Sequence, residues 1–423
     1  MISLGSVTWG SSPEIPVSFE YEKQRSGSNM QYRVKVTISA VTGSKYFGYP
    51  IYLALSINGT SVGAQTLKSA SPYQWSSAIT YTLPWYTVNN KTSGTTSVAF
   101  NLYSGSGSTR NHTYTYSMAV DPAGSKVSAS AGTLGKTLTL TVTRYNTAFT
   151  HTITYKCGTA TGEVCNKSKE TTVSWDTTKG NTVALAAQNT SDKAVNVVFT
   201  ITTYNGTSVV GTNTTTVSMA IPDTVKPSVS LKVEDAAGYF NTYGAFVQGK
   251  SKLKITATPT LAYGSPIKTY SITADSKTYN TSPVTTDVVQ GKGTLTVKAK
   301  VTDNRSRPSD EVSVDITVLE YSKPSVTAIA YRCNSSGEED PEGAYMRVGF
   351  TATISSLNDK NSASYVVTCG SHEFTGTGLS FLSDPVACDV SYTWSMEVEV
   401  SDDFDTTTKA AVIPIAFTLM DFY

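Results

Sequence analysis

Asp223-Thr224-Val225-Lys226-Pro227-Ser228-Val229 returns in outline downstream as Tyr321-Ser322-Lys323-Pro324-Ser325-Val326. In both places a Lys-Pro pair closes one alternating run and opens another. Pro227 and Pro324 stand 97 positions apart, close to the roughly 100 residues of one immunoglobulin-like sandwich. Proline fixes φ and pushes the preceding lysine into extended backbone, so each pair reads as a stiff joint between two β units.

Landmarks on either side repeat at similar offsets. Ser117-Met118-Ala119-Val120-Asp121-Pro122 is echoed by Ser218-Met219-Ala220-Ile221-Pro222, and Val301-Thr302-Asp303-Asn304-Arg305 by Val400-Ser401-Asp402-Asp403-Phe404. The last pair reads as polar hairpin tips. Strict alternation marks the strands between them: Tyr32, Val34, Val36 and Ile38; Val98, Phe100 and Leu102; Leu138, Leu140 and Val142; Leu253, Ile255 and Ala257; Val312, Val314, Ile316 and Val318. One face of each is apolar and the other wet. Asn58-Gly59 and Asn205-Gly206 supply hairpin turns, and Ser104-Gly105-Ser106-Gly107-Ser108 a flexible tip. The pattern predicts an all-β chain of tandem immunoglobulin-like or fibronectin-like β-sandwich domains in an elongated rod. Its expected parts are an aromatic-rich N-terminal sandwich over 1–122, a second over 123–223, and immunoglobulin-like sandwiches over 224–320 and 321–423.

Composition narrows the function. The 423 residues carry a formal charge of +1 with only 15% charged residues, so no basic field exists to hold phosphate backbones, and nucleic acid is not an expected partner. Five cysteines are too few for a disulfide scaffold and leave an odd thiol, which fits assembly in a reducing compartment. Ile2 to Gly10 reads as no secretion leader, and no apolar run is long enough to span a bilayer, so membrane insertion is not expected. The apolar closing stretch Ile415 to Tyr423 leads us to expect that the native chain continues or that this end docks.

No cluster of residues spells out a reaction. His112, His151 and His372 fall in three different expected domains, too scattered for a nucleophilic triad, and structural or solvent roles are expected of them. Cys157 and Cys165 flank Gly158–Val164 without metal-ligand spacing, and read as packed thiols. Cys333, Cys369 and Cys388 share the fourth domain, where one disulfide is allowed. Glu338, Glu339, Asp340 and Glu342 form one acidic run, and Asp402, Asp403 and Asp405 another. Such runs most often mark solvated turns; calcium binding or glycoside hydrolysis is the sharper alternative. We therefore expect no catalytic residues, no metal site and no cofactor. The first domain is dense in aromatic residues interrupted by Gly and Pro, among them Tyr46, Tyr49, Tyr73, Trp75, Trp85 and Tyr86. Rings on its loops offer large contact area with a polar handle, the chemistry of a sugar or protein ligand site.

Gln31-Tyr32-Arg33-Val34-Lys35-Val36, Tyr46-Phe47-Gly48-Tyr49-Pro50-Ile51, Trp85-Tyr86-Thr87-Val88, Thr143-Arg144-Tyr145-Asn146 and Phe417-Thr418-Leu419-Met420 together resemble the uncharacterised minor structural protein family of tailed phages and prophages of Gram-positive bacteria. The likeness runs over essentially the whole chain, on packing and turn motifs. It implies a virion protein of the tail tip, baseplate or tail fibre, assembled in the host bacterial cytoplasm. Expected partners are other tail and baseplate proteins, a homotrimer of the chain itself, and host cell-surface polysaccharide. The leading expectation is a non-enzymatic spacer presenting a host-contacting end, with a carbohydrate-binding adhesin as the alternative.

Overall fold

The computed structural model describes residues 1–11, 13–43, 47–68, 74–104, 110–178 and 181–416. The tip expected at residues 105–108 and the end from residue 417 onward lie outside these residues, as do Tyr46 and Tyr73. The fold is all-β, broken among the described residues by two short helices, Asn181–Ala186 and Tyr239–Tyr243. Two compact units divide it, Met1–Pro222 and Asp223–Tyr423.

In the first unit, one sheet runs in the order Ile2–Trp9, Ile15–Ser26, Asn29–Ile38, Ile79–Thr82, with Tyr86–Val88 also paired to Asn29–Ile38. It faces a second sheet ordered Thr60–Lys68, Ile51–Ile57, Thr95–Ser104, His112–Ala119. The alternation explains the layering, because every second residue of Asn29–Ile38, namely Met30, Tyr32, Val34, Val36 and Ile38, is buried. These meet Leu53, Leu55, Val98, Phe100 and Leu102 from the opposite sheet in one core. At the Asn58-Gly59 turn both residues take positive φ, 51° and 80°, as a two-residue hairpin loop of this hand requires.

The next sandwich pairs a three-stranded sheet (Lys126–Ser128, Thr137–Thr143, Thr172–Asp176) with a five-stranded one ordered Gly132–Thr133, Ser208–Ala220, Ala194–Asn205, Thr150–Cys157, Ala160–Ser168. Trp175 is its centre, 4.9 Å from the Tyr155 ring and edge-on to Phe199 at 5.0 Å. Met118 and Met219, the repeated landmarks, are each fully buried on the last long strand of their own sandwich.

The second unit repeats this plan. Ser228–Asp235, Lys252–Thr260 and Val284–Val288 face Phe246–Val247, Val312–Leu319, Gly293–Asp303, Ile267–Ala274 and Lys277–Tyr279, again three strands against five. The two-residue edge strand is parallel in both sandwiches, Gly132–Thr133 on the first and Phe246–Val247 on the second. The last sandwich sets Ser325–Cys333, Tyr345–Thr353, Ser380–Leu382 and Val386–Ala387 against His372–Thr377, Ser364–Cys369, Trp394–Ser401 and Thr406–Ile413.

The polar hairpin tip expected at Asp303 is buried. Asp303, Arg305 and Arg307 are 0%, 1% and 4% exposed. Arg305 donates to the carbonyls of Ala262 (2.9 Å) and Tyr263 (3.1 Å), and Arg307 to that of Val225 (3.0 Å) and to Asp223 Oδ1 (3.2 Å). The tip folds back on the Asp223–Val225 seam, and the guanidinium groups satisfy carbonyls that would otherwise lose water.

Replacing Phe199 by Ala removes a fully buried ring from the Trp175 cluster, and is expected to destabilise the second sandwich by about 3–5 kcal/mol. Denaturant unfolding followed by Trp175 fluorescence would show it. A shift below about 1 kcal/mol would mean that the cluster is not a packed core.

Candidate functional site

Of the six aromatic residues singled out in the first sandwich, the four that the structure describes do not form one site. Trp75 pairs its backbone with Val41 beyond the end of Asn29–Ile38, and its indole N–H donates to the carbonyl of Ser39 at 3.0 Å. Phe47, buried, lies edge-on to Trp75 at 6.5 Å and to Tyr49 at 6.4 Å, and packs on Trp9 at 5.5 Å. The Arg110 guanidinium sits 4.8 Å over Phe47 and 5.8 Å over Trp9. Most of this aromatic density is therefore core and cation–π packing. Tyr49 remains 52% exposed, and Trp75 lines a recess of ≈ 530 Å³ with Lys68, Gln74 and Ser76.

Trp85 and Tyr86 lie elsewhere. The Trp85 ring, 37% exposed, stacks under the Arg33 guanidinium at 5.1 Å, in the middle of Asn29–Ile38. Arg33 is fixed in turn by Glu22 on the neighbouring strand. Tyr86 pairs across to Tyr32 at the edge of the same sheet.

The second acidic run is not a solvated turn. Asp402, Asp403 and Asp405 lie at a hairpin tip that reaches the preceding sandwich, where donors consume them. Tyr321 Oη lies 3.1 Å from Asp402 Oδ1 and 2.8 Å from Asp405 Oδ2, and Tyr243 Oη donates to Asp403 Oδ2 at 2.9 Å. Lys250 Nζ binds Asp405 at 2.8 Å, and Asn361 Nδ2 donates to Asp402 Oδ2 at 3.1 Å. Between the aspartates, Phe404 enters a ring of Tyr239, Tyr243 and Tyr321, with centroids at 5.1, 5.6 and 5.1 Å. Tyr243, Val247 and Leu357 complete a small buried core there. A facing loop closes it: Leu357, Asn358 and Asp359 take φ of 50°, 59° and 60°, and Asn358 Nδ2 and Lys360 Nζ donate to the carbonyls of Tyr243 and Thr242, both at 2.8 Å. Three successive left-handed non-glycine residues persist only where their surroundings hold them.

The electrostatics follow. Burial first, then donation to Asp403, pushes the Tyr243 phenol up to about 12. Burial and the Asp405 and Asp402 acceptors raise Tyr321 as well. Lys250, followed by Tyr321, holds the Asp405 carboxyl below its ordinary value. These carboxylates are joint components, each already bonded. The first acidic run stays near its own loop, with Glu338 accepting from Asn334 and Asp340 from the Glu342 amide. Among the described residues no three His, Cys, Asp or Glu side chains converge as metal ligands. No helix among them is long and apolar enough to cross a membrane.

His151 is a core residue, bonded through Nε2 to Ser125 Oγ at 2.8 Å, and burial pushes its pKa down. All five cysteines are free. The turn after Cys157 is tight, so Cys157 stands opposite Ala160 and Cys165 opposite Ile153, and the two sulfurs are not brought together. In the last sandwich Cys369 Sγ faces Met346 Sδ at 3.7 Å and Cys388 Sγ lies 3.3 Å from Arg332 Nη1, in place of the disulfide that the sequence allows. Arg332 itself, 4% exposed, also donates to the carbonyls of Pro414, Asp389 and Tyr392. Sequence reading missed Arg332, which had no pattern to mark it, and the role of Phe404, for which the signal was an aromatic residue set among aspartates at a supposedly wet tip.

The paired sheets, three strands or more against four or five with hairpin and crossover links, define a multidomain all-β protein of the immunoglobulin and fibronectin type. Residues 20–355 match the family model described as a siphovirus protein of unknown function (DUF859), and the chain belongs to that family. It is a phage protein family, as the sequence resemblance implies. No curated protein matches the chain. Among solved structures, it is similar to the D1–D4 ectodomain fragment of ICAM-5 (10% identity, 95% of this chain and 100% of that one, TM-score 0.37). It is also similar to a Ca²⁺-stabilized adhesin with which an Antarctic bacterium binds ice (16% identity, 90% and 92%, TM-score 0.29), and to fibronectin(III)-like modules of Clostridium thermocellum CbhA (14%, 46% and 95%, TM-score 0.19). The similarity is low in each case, and the sheet order defines the fold here.

A tyrosine held neutral contributes stability that is full below its ordinary pKa of 10.0 and is lost as pH rises toward about 12. A carboxylate held ionised contributes stability above its ordinary 3.8 that is lost as pH falls through its depressed value. The joint is therefore expected to be firmest between these limits. An ultraviolet phenolate titration should show several late-ionising phenols, Tyr321 among them, and Tyr243→Phe should remove one that ionises at about 12. Loss of one phenol from the ordinary phase instead would place Tyr243 in solvent.

Proposed function

We propose that this siphovirus-family chain is a structural, non-catalytic component of the phage tail, in a tail fibre or baseplate, that spaces and presents a host-contacting end. The observation that carries the reading is where its reactive-looking groups go. The Asp402–Asp405 carboxylates bind the preceding sandwich, the Asp303–Arg307 tip binds the Asp223–Val225 seam, and Arg332 binds loops of its own sandwich, so these charges are used to hold chain segments together. Enzymes by contrast gather unsatisfied titratable groups in a cleft. The partners in this reading are other tail and baseplate proteins and two further copies of the chain, and the location is the virion tail after assembly in the host cytoplasm.

A second reading is direct attachment to cell-surface polysaccharide. Exposed Tyr49 and Trp85 in the first sandwich favour it, since an aromatic face with a polar rim suits a sugar ring.

Gold-labelled antibody against the folded chain, applied to intact virions, is expected to mark the tail under the electron microscope. Label confined to the head, or absent from purified particles, would overturn the structural assignment. For the second reading, Trp85→Ala is expected to weaken adsorption of the folded chain to host cells without lowering its melting temperature. Equal adsorption by a folded variant would count against Trp85 as a contact.

A further inference from the structure

The two outer faces of the first sandwich differ in charge. On the sheet containing Asn29–Ile38 the outward row carries paired ions, Lys35 with Glu20 and Arg33 with Glu22. On the opposite sheet the inward residues of Ile51–Ile57 and Thr95–Ser104 are buried, and the outward ones line up in register as an uncharged grid. Tyr52 stands between Thr66 and Tyr103, Ala54 between Ala64 and Asn101, and Ser56 between Ser61 and Ala99. Thr113 and Thr115 extend the second and third rows past Asn101 and Ala99. No Asp, Glu, Lys or Arg occupies any of these positions. The only large side chains in the grid are Tyr52 and Tyr103, whose rings stack at 5.1 Å and 22°.

We propose that this face binds a neutral polysaccharide, with the Tyr52–Tyr103 pair as its aromatic platform. The inference rests on the attachment of the second reading, moves its place from Tyr49 and Trp85 to this opposite face, and adds the class of glycan. Small side chains keep the face flat over four strands, about 15 Å wide at roughly 4.8 Å per strand, enough for a run of sugar rings to lie along it. Hydroxyl groups of Ser and Thr can exchange hydrogen bonds with sugar hydroxyls, directly or through water. The offset tyrosines present apolar ring area to the C–H face of a sugar and their Oη groups to its hydroxyls. A teichoic-acid-like polyanion would find no cation on the grid. A protein partner would find only one aromatic pair and none of the Trp, Arg and Met anchors that carry such interfaces.

Affinity electrophoresis of the full chain through gels containing a neutral glucan, a neutral galactan, a neutral rhamnan or a polyanionic teichoic acid tests this. Retardation by at least one neutral polymer is expected, weakened roughly tenfold in Tyr103→Ala, as for loss of one anchoring aromatic, and kept in Tyr103→Phe. Thr115→Glu, a charge at an exposed grid position, should also abolish it without touching the core. Retardation by neutral polymer unchanged in both Tyr103→Ala and Thr115→Glu would overturn this face while leaving polysaccharide attachment standing. Retardation by the polyanion alone would overturn the neutral class, and retardation by none would overturn attachment together with the face. A change of sedimentation in Thr115→Glu with no neutral-polymer binding in wild type would reassign the face to contact between copies.

Discussion

Phe404 occupies a hairpin tip, where a ring would ordinarily lose its packing, and it is instead enclosed by Tyr239, Tyr243 and Tyr321 of the preceding sandwich and its linker. Around that apolar centre the three aspartates of the same tip find donors on the facing surface. Lys250 serves both chemistries. Its ammonium binds Asp405 and also sits 4.9 Å from the centre of the Tyr321 ring and 5.3 Å from that of Phe404. Asp403 stays exposed and Asp402 and Asp405 are partly covered, and each carboxylate accepts at least one hydrogen bond from the facing surface or its own sandwich. The geometry of the second unit depends on this closure, because it sets which loop of one sandwich faces which strand of the next.

The tip at Asp303 uses the same position in its sandwich with different residues. There two arginines reach carbonyls of the seam and of a neighbouring loop, and no ring is present. The two tips share a physical need, since a hairpin end pressed against another segment must satisfy its buried polar groups. Guanidinium forks do so in one case and a mixed aromatic and acidic set in the other. Pro227 and Pro324 fix φ in or beside the segments that the two tips bind.

The strands were legible because a two-residue alternation reports directly which side of a sheet is buried, so Tyr32 to Ile38 and Leu253 to Ala257 could be placed without coordinates. The Asn58-Gly59 turn was legible because few residues accept its backbone. The repeated Asp303 and Asp402 tips were visible as landmarks, but what lies opposite a tip is set by packing between sandwiches, which no local pattern encodes. Hence Asp402, Asp403 and Asp405 read as a solvated turn, and the bonds that they make went unseen. The aromatic stretch failed similarly: Phe47 and Trp75 lie close in space through a bridge from Val41 to Trp75, while Trp85, nearer in sequence to Trp75, packs on Arg33. Sequence density of rings measured composition, and only the fold sorted core from surface.

The proposed spacer role requires resistance to bending between sandwiches, and the Phe404 contacts join the last two of them. Native-state hydrogen exchange tests it directly. The slowest amides of Gly293–Asp303 and of Trp394–Ser401, on the two sides of the joint, are predicted to open with one shared free energy in the wild type and with two separate ones in Phe404→Ala. Independent opening of the two strands in the wild type would contradict the joint.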